Sequence, residues 1–416
     1  MEFHERYPMK INRMRGLLVA AATAGVLATG IAPVAHAASL KTITVWADDQ
    51  RGPQLLALIG GNTSIAPGYK VRVKFFSNLT ALQSAWGKAS AATAPDVITG
   101  PASFTLSAKS GKLAPLVYTA AMKKAFPAGS VDAMSYKGRA YGVPLDIDTT
   151  AMIWNKAFGP APTTFQGLID YYNNNKVSKG LTGGICAAEG TWGSQPILTA
   201  LGGGAWALNA NGSANFSKTL INSAAFKTNI QKLLGNDGKS NGFFQWDGCL
   251  DAFKAGTIPA VNTGAWNLSG IKSAISSYSI QSVPGGHQWA NYSGAWLTSY
   301  AAKHGVALGA KQLLTNFFAT RAGQAQMSAA SGRPPASLAA LKNIASADTK
   351  AFVKAAASGM PQYSAYLDDS KSGNNWYSIL GNVYTDIFVN GANVNTTLDT
   401  AAPLLLANWA DAAANN

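Results

Sequence analysis

The chain has 416 residues, 47% hydrophobic and only 12% charged, with a formal net charge of +14. That length and apolar content suit two or three domains or one large two-lobed body, and exclude a chain too polar to bury a core. The positive charge invites a nucleic-acid reading, but the Lys and Arg are scattered singly and no nucleic-acid motif occurs, so no nucleic-acid partner is expected.

Residues 1–37 read as a secretory leader. Lys10, Arg13 and Arg15 precede an apolar run from Gly16 to Ile31, and Ala35-His36-Ala37 forms a small-x-small cleavage site. No cysteine follows that site to carry a lipid anchor, and no later run is long and apolar enough to span a membrane. The expected product is exported and soluble. Charge is sparse against a usual level of about 25%, and beyond the leader Glu189 is the sole glutamate. A surface poor in carboxylates depends little on groups that acid would neutralise, so an acidic working medium is expected. Cys186 and Cys249 are the two cysteines; a disulfide is allowed in an oxidising compartment, and two buried thiols are the alternative. With His287 and His304 the only histidines past the leader, and no C-x-x-C or H-E-x-x-H, neither a metal site nor a cofactor is expected.

In chain order, Lys41–Ala47 alternates as a strand and ends in a polar turn, Asp48 to Pro53. Gln54–Gly61 predicts a helix, Tyr69–Phe76 a strand, Asn78–Ala94 a helix and Asp96–Ile98 a short strand. Strand, helix, strand, helix, strand argues for an α/β lobe with a mainly parallel sheet, whose ligand rim lies beyond the strands' carboxyl ends. That places Trp46 to Arg51 and Thr99 to Phe104 on one rim. Lys137-Gly138 predicts a hairpin turn. Val143, Leu145 and Ile147 then alternate with Pro144, Asp146 and Asp148, so both aspartates share one face of a strand. Pro144 suits a strand start or edge. Thr163-Thr164 caps a helix from Phe165, and Ser223–Leu234 and Cys249–Ala255 predict two more. Ile258–Val261 and Tyr278–Val283 read as strands, and Tyr292–Tyr300 as a segment crossing back between lobes. Ala307–Ala319, Ser337–Ile344, Thr349–Ala357, Asn375–Val389 and Asn395–Trp409 read as helices.

Several chemistries lack their motifs. Gly238-Lys239-Ser240 resembles the end of a phosphate loop, but Leu233 stands where the loop needs glycine. No G-x-S-x-G elbow occurs. Asp146, Asp148 and Glu189 offer the two carboxyls a glycosidase needs, without surroundings that mark a raised-pKa acid. Aromatic rings are the stronger signal. Trp46, Trp192, Trp266, Trp296, Trp376 and Tyr377 fall in loops or helix starts beside Gly, Asn or Asp. Flat apolar sugar faces pack on such rings, and hydroxyls bond to the polar residues beside them. For any one tryptophan, core packing is the competing account.

The segments TITVWADDQRG (42–52), APDVITG (94–100), YKGRAYGVPLDIDTTAMIWNK (136–156), AAEGTWGSQPILTALGG (187–203), AFKAGTIPAVNTGAWNLSG (252–270) and MPQYSAYLDDSKSGNNWYSIL (360–380) follow one another over nearly the whole chain. In this order the chain resembles the solute-binding receptors of sugar ABC importers, particularly the maltose/maltodextrin-binding group. The resemblance implies an α/β fold of two lobes, each a sheet flanked by helices, with a ligand cleft between them. It implies residues 38–146 and 297–356 in the first lobe, and 147–296 and 357–416 in the second. It also implies a monomer that takes an oligosaccharide, closes on it by a hinge, and delivers it to a membrane permease without catalysis. Trp46, with Asp49 and Arg51 in the following turn, would lie on one lip. Asp148 falls where the family places a sugar-binding acid. Glu189 and Trp192 match an acid–aromatic pair, with Glu189 one place out of register. Trp266 matches a stacking aromatic, and Trp376 with Tyr377 a late aromatic platform. Two places depart from the pattern: Gly100 to Phe104 replace charged residues after the third strand, and Gln50-Arg51 replaces an aspartate–lysine pair. A secreted carbohydrate-active hydrolase and a receptor for another small solute, such as trehalose or an anion, are the alternatives.

Overall fold

A computed structural model describes residues 39–210, 214–357, 359–360 and 375–415. The expected leader lies outside these, as do residues 361–374 of the last resembling segment. Among the described residues no helix is long and apolar enough to cross a membrane.

The first sheet begins as the alternation predicts. Strand β1 (Lys41–Ala47) buries Ile43, Val45 and Ala47, and the turn after it leads into α1 (Gly52–Ile59) with Pro53 in its first turn. Strand β2 (Tyr69–Phe75) pairs parallel to β1 along its whole length. Helix α2 (Leu79–Gly87) starts where Asn78 accepts the amide of Ala81. It stops seven residues short of the expected end, because 90–93 form a turn closed by the Ser90 and Thr93 hydroxyls. Strand β3 (Val97–Pro101) joins the other side of β1. Lys137 and Gly138, both at positive φ, make the predicted hairpin turn between two short strands.

Strand β4 (Gly142–Asp148) carries the two aspartates, and β5 (Thr150–Asn155) follows after a single residue. These strands belong to different sheets, so the chain crosses between lobes at Thr149. The second lobe adds α3 (Phe165–Asn175), capped by Thr164 as predicted, then β6 (Ile185–Ala187), α4 (Gly190–Ala200), β7 (Phe244–Trp246), β8 (Ala260–Gly264), α5 (Leu268–Ala274) and β9 (Tyr278–Gln281). Its order is β7-β6-β8-β5-β9. Strand β10 (Asn291–Leu297) returns to the first sheet and lies antiparallel between β3 and β4, giving the order β2-β1-β3-β10-β4. The return therefore happens before Asn291, earlier than expected.

Helix α6 (Arg321–Ser331), absent from the predicted elements, ends at Gly332, whose φ of +72° suits only glycine readily. The turn delivers Arg333 to Ala336 onto the free edge of β4, where Ile147 donates to Pro334 and Ala336 donates to Leu145. Pro144 is thus tolerated on an edge strand that a third crossing segment covers. Helix α7 (Ala347–Ala356) packs on β5 and β9, with Phe352 and Ala355 in a core cluster that includes Ile153 and Phe253. The last crossing thus precedes α7, and the expected assignment of residues up to 356 to the first lobe gives way to this packing. Helices α8 (Trp376–Tyr384) and α9 (Val394–Asn415) complete the second lobe. Cys186 and Cys249 form a disulfide between β6 and the start of the helix Leu250–Lys254.

Candidate functional site: a cleft between the two lobes

A cavity of about 490 Å3 lies where both sheets present their loops. The first lobe contributes the β1–α1 turn, Leu79, Gln83 and the residues after β3; the second contributes Glu189, Trp192, Trp266, Asn375 and Tyr377. Asp148, Asn291 and Arg333 enter from the three crossing segments. The loops expected on the first-lobe rim are therefore at the cavity, as the position beyond the strand ends requires.

Beneath this cavity sits a buried charge network. Asp48 turns back on its own chain, accepting the amides of Gln50 and Arg51 at 3.1 and 2.8 Å. Arg51 Nη1 bonds to Asp48 Oδ2 at 2.8 Å, while Nε and Nη2 grip Asp146 at 3.3 Å each and Nη2 also donates to Ser293. Arg333 Nη1 bonds to Asp148 Oδ1 at 2.9 Å and lies 3.6 Å from Asp146, and its Nη2 donates to Gln50 Oε1 at 2.6 Å. Ser293 donates to Asp148 at 3.2 Å. Burial opposes the Arg51 charge, but the fields of Asp146, Asp48 and Asp148 outweigh it and raise its pKa. Burial likewise opposes ionisation of Asp146, and the fields of Arg51 and Arg333 hold its carboxyl below the usual range nonetheless. Two arginines and three aspartates thus tie the first turn and all three crossings into one hinge.

On the second lobe Glu189 is the organising group. Its Oε1 accepts from Thr263 Oγ1 at 2.6 Å, Trp266 Nε1 at 3.0 Å and Asn267 Nδ2 at 3.1 Å. Its Oε2 is buried with no hydrogen-bond partner among the described residues. Burial pushes its pKa up to about 7, the donors from Thr263 and Trp266 pull against it, and the charge of Asp247 adds to the rise. Trp266 is fixed in turn. It packs on Gly264, where a Cβ would come within 2.0 Å of the ring, and the Arg333 guanidinium lies 4.7 Å from its centroid. Trp192 lies 5.6 Å from Trp266 and stacks at 6.3 Å on Trp289, which donates its indole N–H to the Trp192 carbonyl at 2.6 Å.

Residues 66–358 match the family model for bacterial extracellular solute-binding proteins. The chain belongs to this family. In three dimensions the solute-binding protein is similar to the GacH receptor of Streptomyces glaucescens GLA.O, with a TM-score of 0.72 over 89% of this chain and 99% of that one, at 16% identity. GacH is described unliganded and in complex with acarbose and an acarbose homolog, beside acarbose-loaded maltose binding protein of Salmonella typhimurium. The likeness shows the two-lobed fold. No curated protein matches the chain in sequence.

The cavity of this solute-binding protein brings together Arg51, Asp148, Glu189, Trp192, Trp266 and Tyr377 from the expected residues. Three others stand elsewhere. Trp46 is 4% exposed and packs on Phe76 at 4.9 Å, with the Lys74 ammonium 5.0 Å from its ring. Trp376 is fully buried among Trp206, Trp289 and Tyr377, so its ring serves the core. Asp49 lines a neighbouring cavity. Arg333 was missed. Its segment, Gly-Arg-Pro-Pro after an alanine-rich helix, carries a turn signal but no binding signal. Asn291 and Gln83 were missed because isolated amides have none. The absence of a raised-pKa acid, expected from the sequence, is overturned by the burial of Glu189.

Proposed function

We propose that this protein is the extracytoplasmic receptor of an ABC importer, and that it captures a neutral oligosaccharide of the maltose/maltodextrin type. The observation that carries the reading is the pairing of charge. Arg51 and Arg333, the cations lining the cleft among the described residues, are already bound by Asp48, Asp146 and Asp148, so the cleft offers donors and acceptors without a lone cation for an anionic solute to neutralise. Trp192 and Tyr377 add apolar surface beside them. Such a mixture suits rings with flat apolar faces and hydroxyl edges. The acarbose complexes of GacH, whose fold this chain shares, support the same ligand class. On this reading Asp148, Asn291 and Gln83 bond hydroxyls, Trp192 and Tyr377 pack on ring faces, and a monomer presents the closed form to the permease. Closure follows ligand because only the closed form contacts it from both lobes.

A hydrolase reading has one observation in its favour, the raised pKa of Glu189. Against it, three protein donors already occupy Oε1. Titration calorimetry with maltose, maltotetraose, trehalose and sucrose tests the receptor reading. One sugar binds stoichiometrically, and Trp192→Ala weakens it by about 1 kcal/mol or more, the scale of a good aromatic contact. Trp376→Ala, as a control, lowers stability by about 3–5 kcal/mol, the cost of emptying a buried aromatic site. Accumulating products from maltotetraose would instead make the protein an enzyme, and no binding by any sugar would end the reading.

A further inference from the structure

Charge divides unequally between the lobes. The stretches 39–148 and 291–345, which form the first lobe, carry 17 Lys and Arg against six Asp. The stretches 149–290 and 346–416, which hold the elements of the second, carry 12 against 11. Nearly the whole positive excess therefore belongs to one lobe. Four of that lobe's six acids are engaged within the fold: Asp48, Asp146 and Asp148 hold the hinge arginines, and Asp96 is buried against His304 at 2.6 Å.

Lysines that stand singly in the sequence are gathered by the fold at the end of the first sheet farthest from the cleft. Lys41 begins β1 and pairs with Tyr69, and Lys70 follows on β2. Lys41 Nζ donates to the Gly305 carbonyl at 3.3 Å, which brings in Lys303 at the end of the helix Tyr300–Lys303. Gly309 packs on Tyr69, where a Cβ would come within 2.5 Å of the ring, so the helix Ala307–Leu313 brings Lys311 to the same pole. All four lysines are exposed, and none is ion-paired among the described residues. By contrast Lys227, Lys254 and Lys272 of the second lobe are each paired with an aspartate. The segments that build the pole, 41–47, 69–75 and 300–313, contain no Asp or Glu. The seven residues of β1 separate pole from cleft. That is about 20 Å, roughly two Debye lengths at physiological salt, so the two ends act independently.

We propose that this pole is a docking surface for a polyanion of the cell envelope, a flexible chain of repeating phosphodiesters. Lysine presents a point charge on a mobile stem, which suits a moving row of phosphates rather than one planar group. Four such charges without an acid among them repel one another, and an anionic chain laid across them relieves that repulsion. Docked there, the protein keeps its cleft clear for solute and permease. A bilayer on the same pole would turn the cleft away from the permease; this choice between the two rests on the receptor reading above.

Fluorescence anisotropy of labelled poly(glycerol phosphate) tests this. Wild type is expected to bind at about 50 mM salt and to weaken about tenfold or more by about 200 mM, as counterion release requires. Replacing Lys41, Lys70, Lys303 and Lys311 by Gln is expected to cost about tenfold or more at the lower salt. Replacing Lys179, Lys218, Lys232 and Lys239 of the second lobe by Gln, which changes the net charge equally, is expected to cost less than about threefold. The half-variants, Lys41→Gln with Lys70→Gln and Lys303→Gln with Lys311→Gln, each lose part of the affinity, so a folding failure in one variant leaves the test standing. No binding by wild type at the lower salt overturns the proposal, and so does an equal loss in the pole and second-lobe variants. Tighter binding to phosphatidylglycerol vesicles or to single-stranded DNA than to the polymer overturns the phosphodiester polymer as the partner. No arm of the test involves the cleft, so its failure leaves the sugar reading standing.

Discussion

Glu189 shows how one buried carboxyl shapes the response to pH. Its ordinary value is near 4.5, and in the fold it stands at about 7. Between those values the folded chain holds a proton that the unfolded chain has released. Stability from this group is therefore full below about pH 4.5 and falls as pH rises toward 7, by roughly 3 kcal/mol in all. Glu189→Gln, which keeps the shape and removes the titration, should flatten that slope. Urea melts at intervals between pH 4.5 and 7.5 measure it. Equal slopes in the two proteins would show that Glu189 ionises freely in the fold. Asp146 acts in the opposite sense: its value lies below the usual range, so its contribution persists until pH falls through that lower value.

At the level of elements, the charge network makes the crossings a unit. Arg51→Met removes the guanidinium that pairs with Asp48 and leaves Asp146 only the more distant Arg333; the two aspartates are 2% and 5% exposed. Leaving buried charges unpaired costs about 3–5 kcal/mol, against about 0–1 kcal/mol for an exposed pair. Chemical denaturation distinguishes the two, and a loss at the lower figure would mean that water reaches the network. Elements of this kind were partly legible. Period-two alternation located β1, β2 and β4, and the two-residue spacing put Asp146 and Asp148 on one face, where both now meet Arg333. Caps at Asn78 and Thr164 marked helix starts because a side-chain oxygen there satisfies a free amide. Alternation cannot report what lies across a strand edge, so the pairing of β4 with Arg333 to Ala336 was invisible. The same limit hid Arg333 from the site. Tryptophans misled for a related reason: beside polar turns, Trp46 and Trp376 resemble ligand platforms, yet the chain folds each ring inward.

For the whole molecule, sparse charge and the opposite slopes of Glu189 and Asp146 point to tolerance of acid. Few carboxylates are available to be neutralised, the buried hinge pairs resist protonation, and Glu189 favours the folded state as pH falls. Melting temperature should therefore hold, within a few degrees, from neutrality to about pH 4. A collapse over that interval would mean that surface carboxylates matter more than their number suggests.

The position of β10 between β3 and β4 also has a consequence in time. β3 ends at Pro101 and β4 at Asp148, but the strand that joins them ends at Leu297. As the chain grows from its amino end, nearly 150 residues must be made after β4 before the first sheet can close. Until then β3 and β4 carry open edges able to pair with other chains. Almost the entire second sheet is available to fold during that wait. The first sheet to be started is therefore the last to be closed.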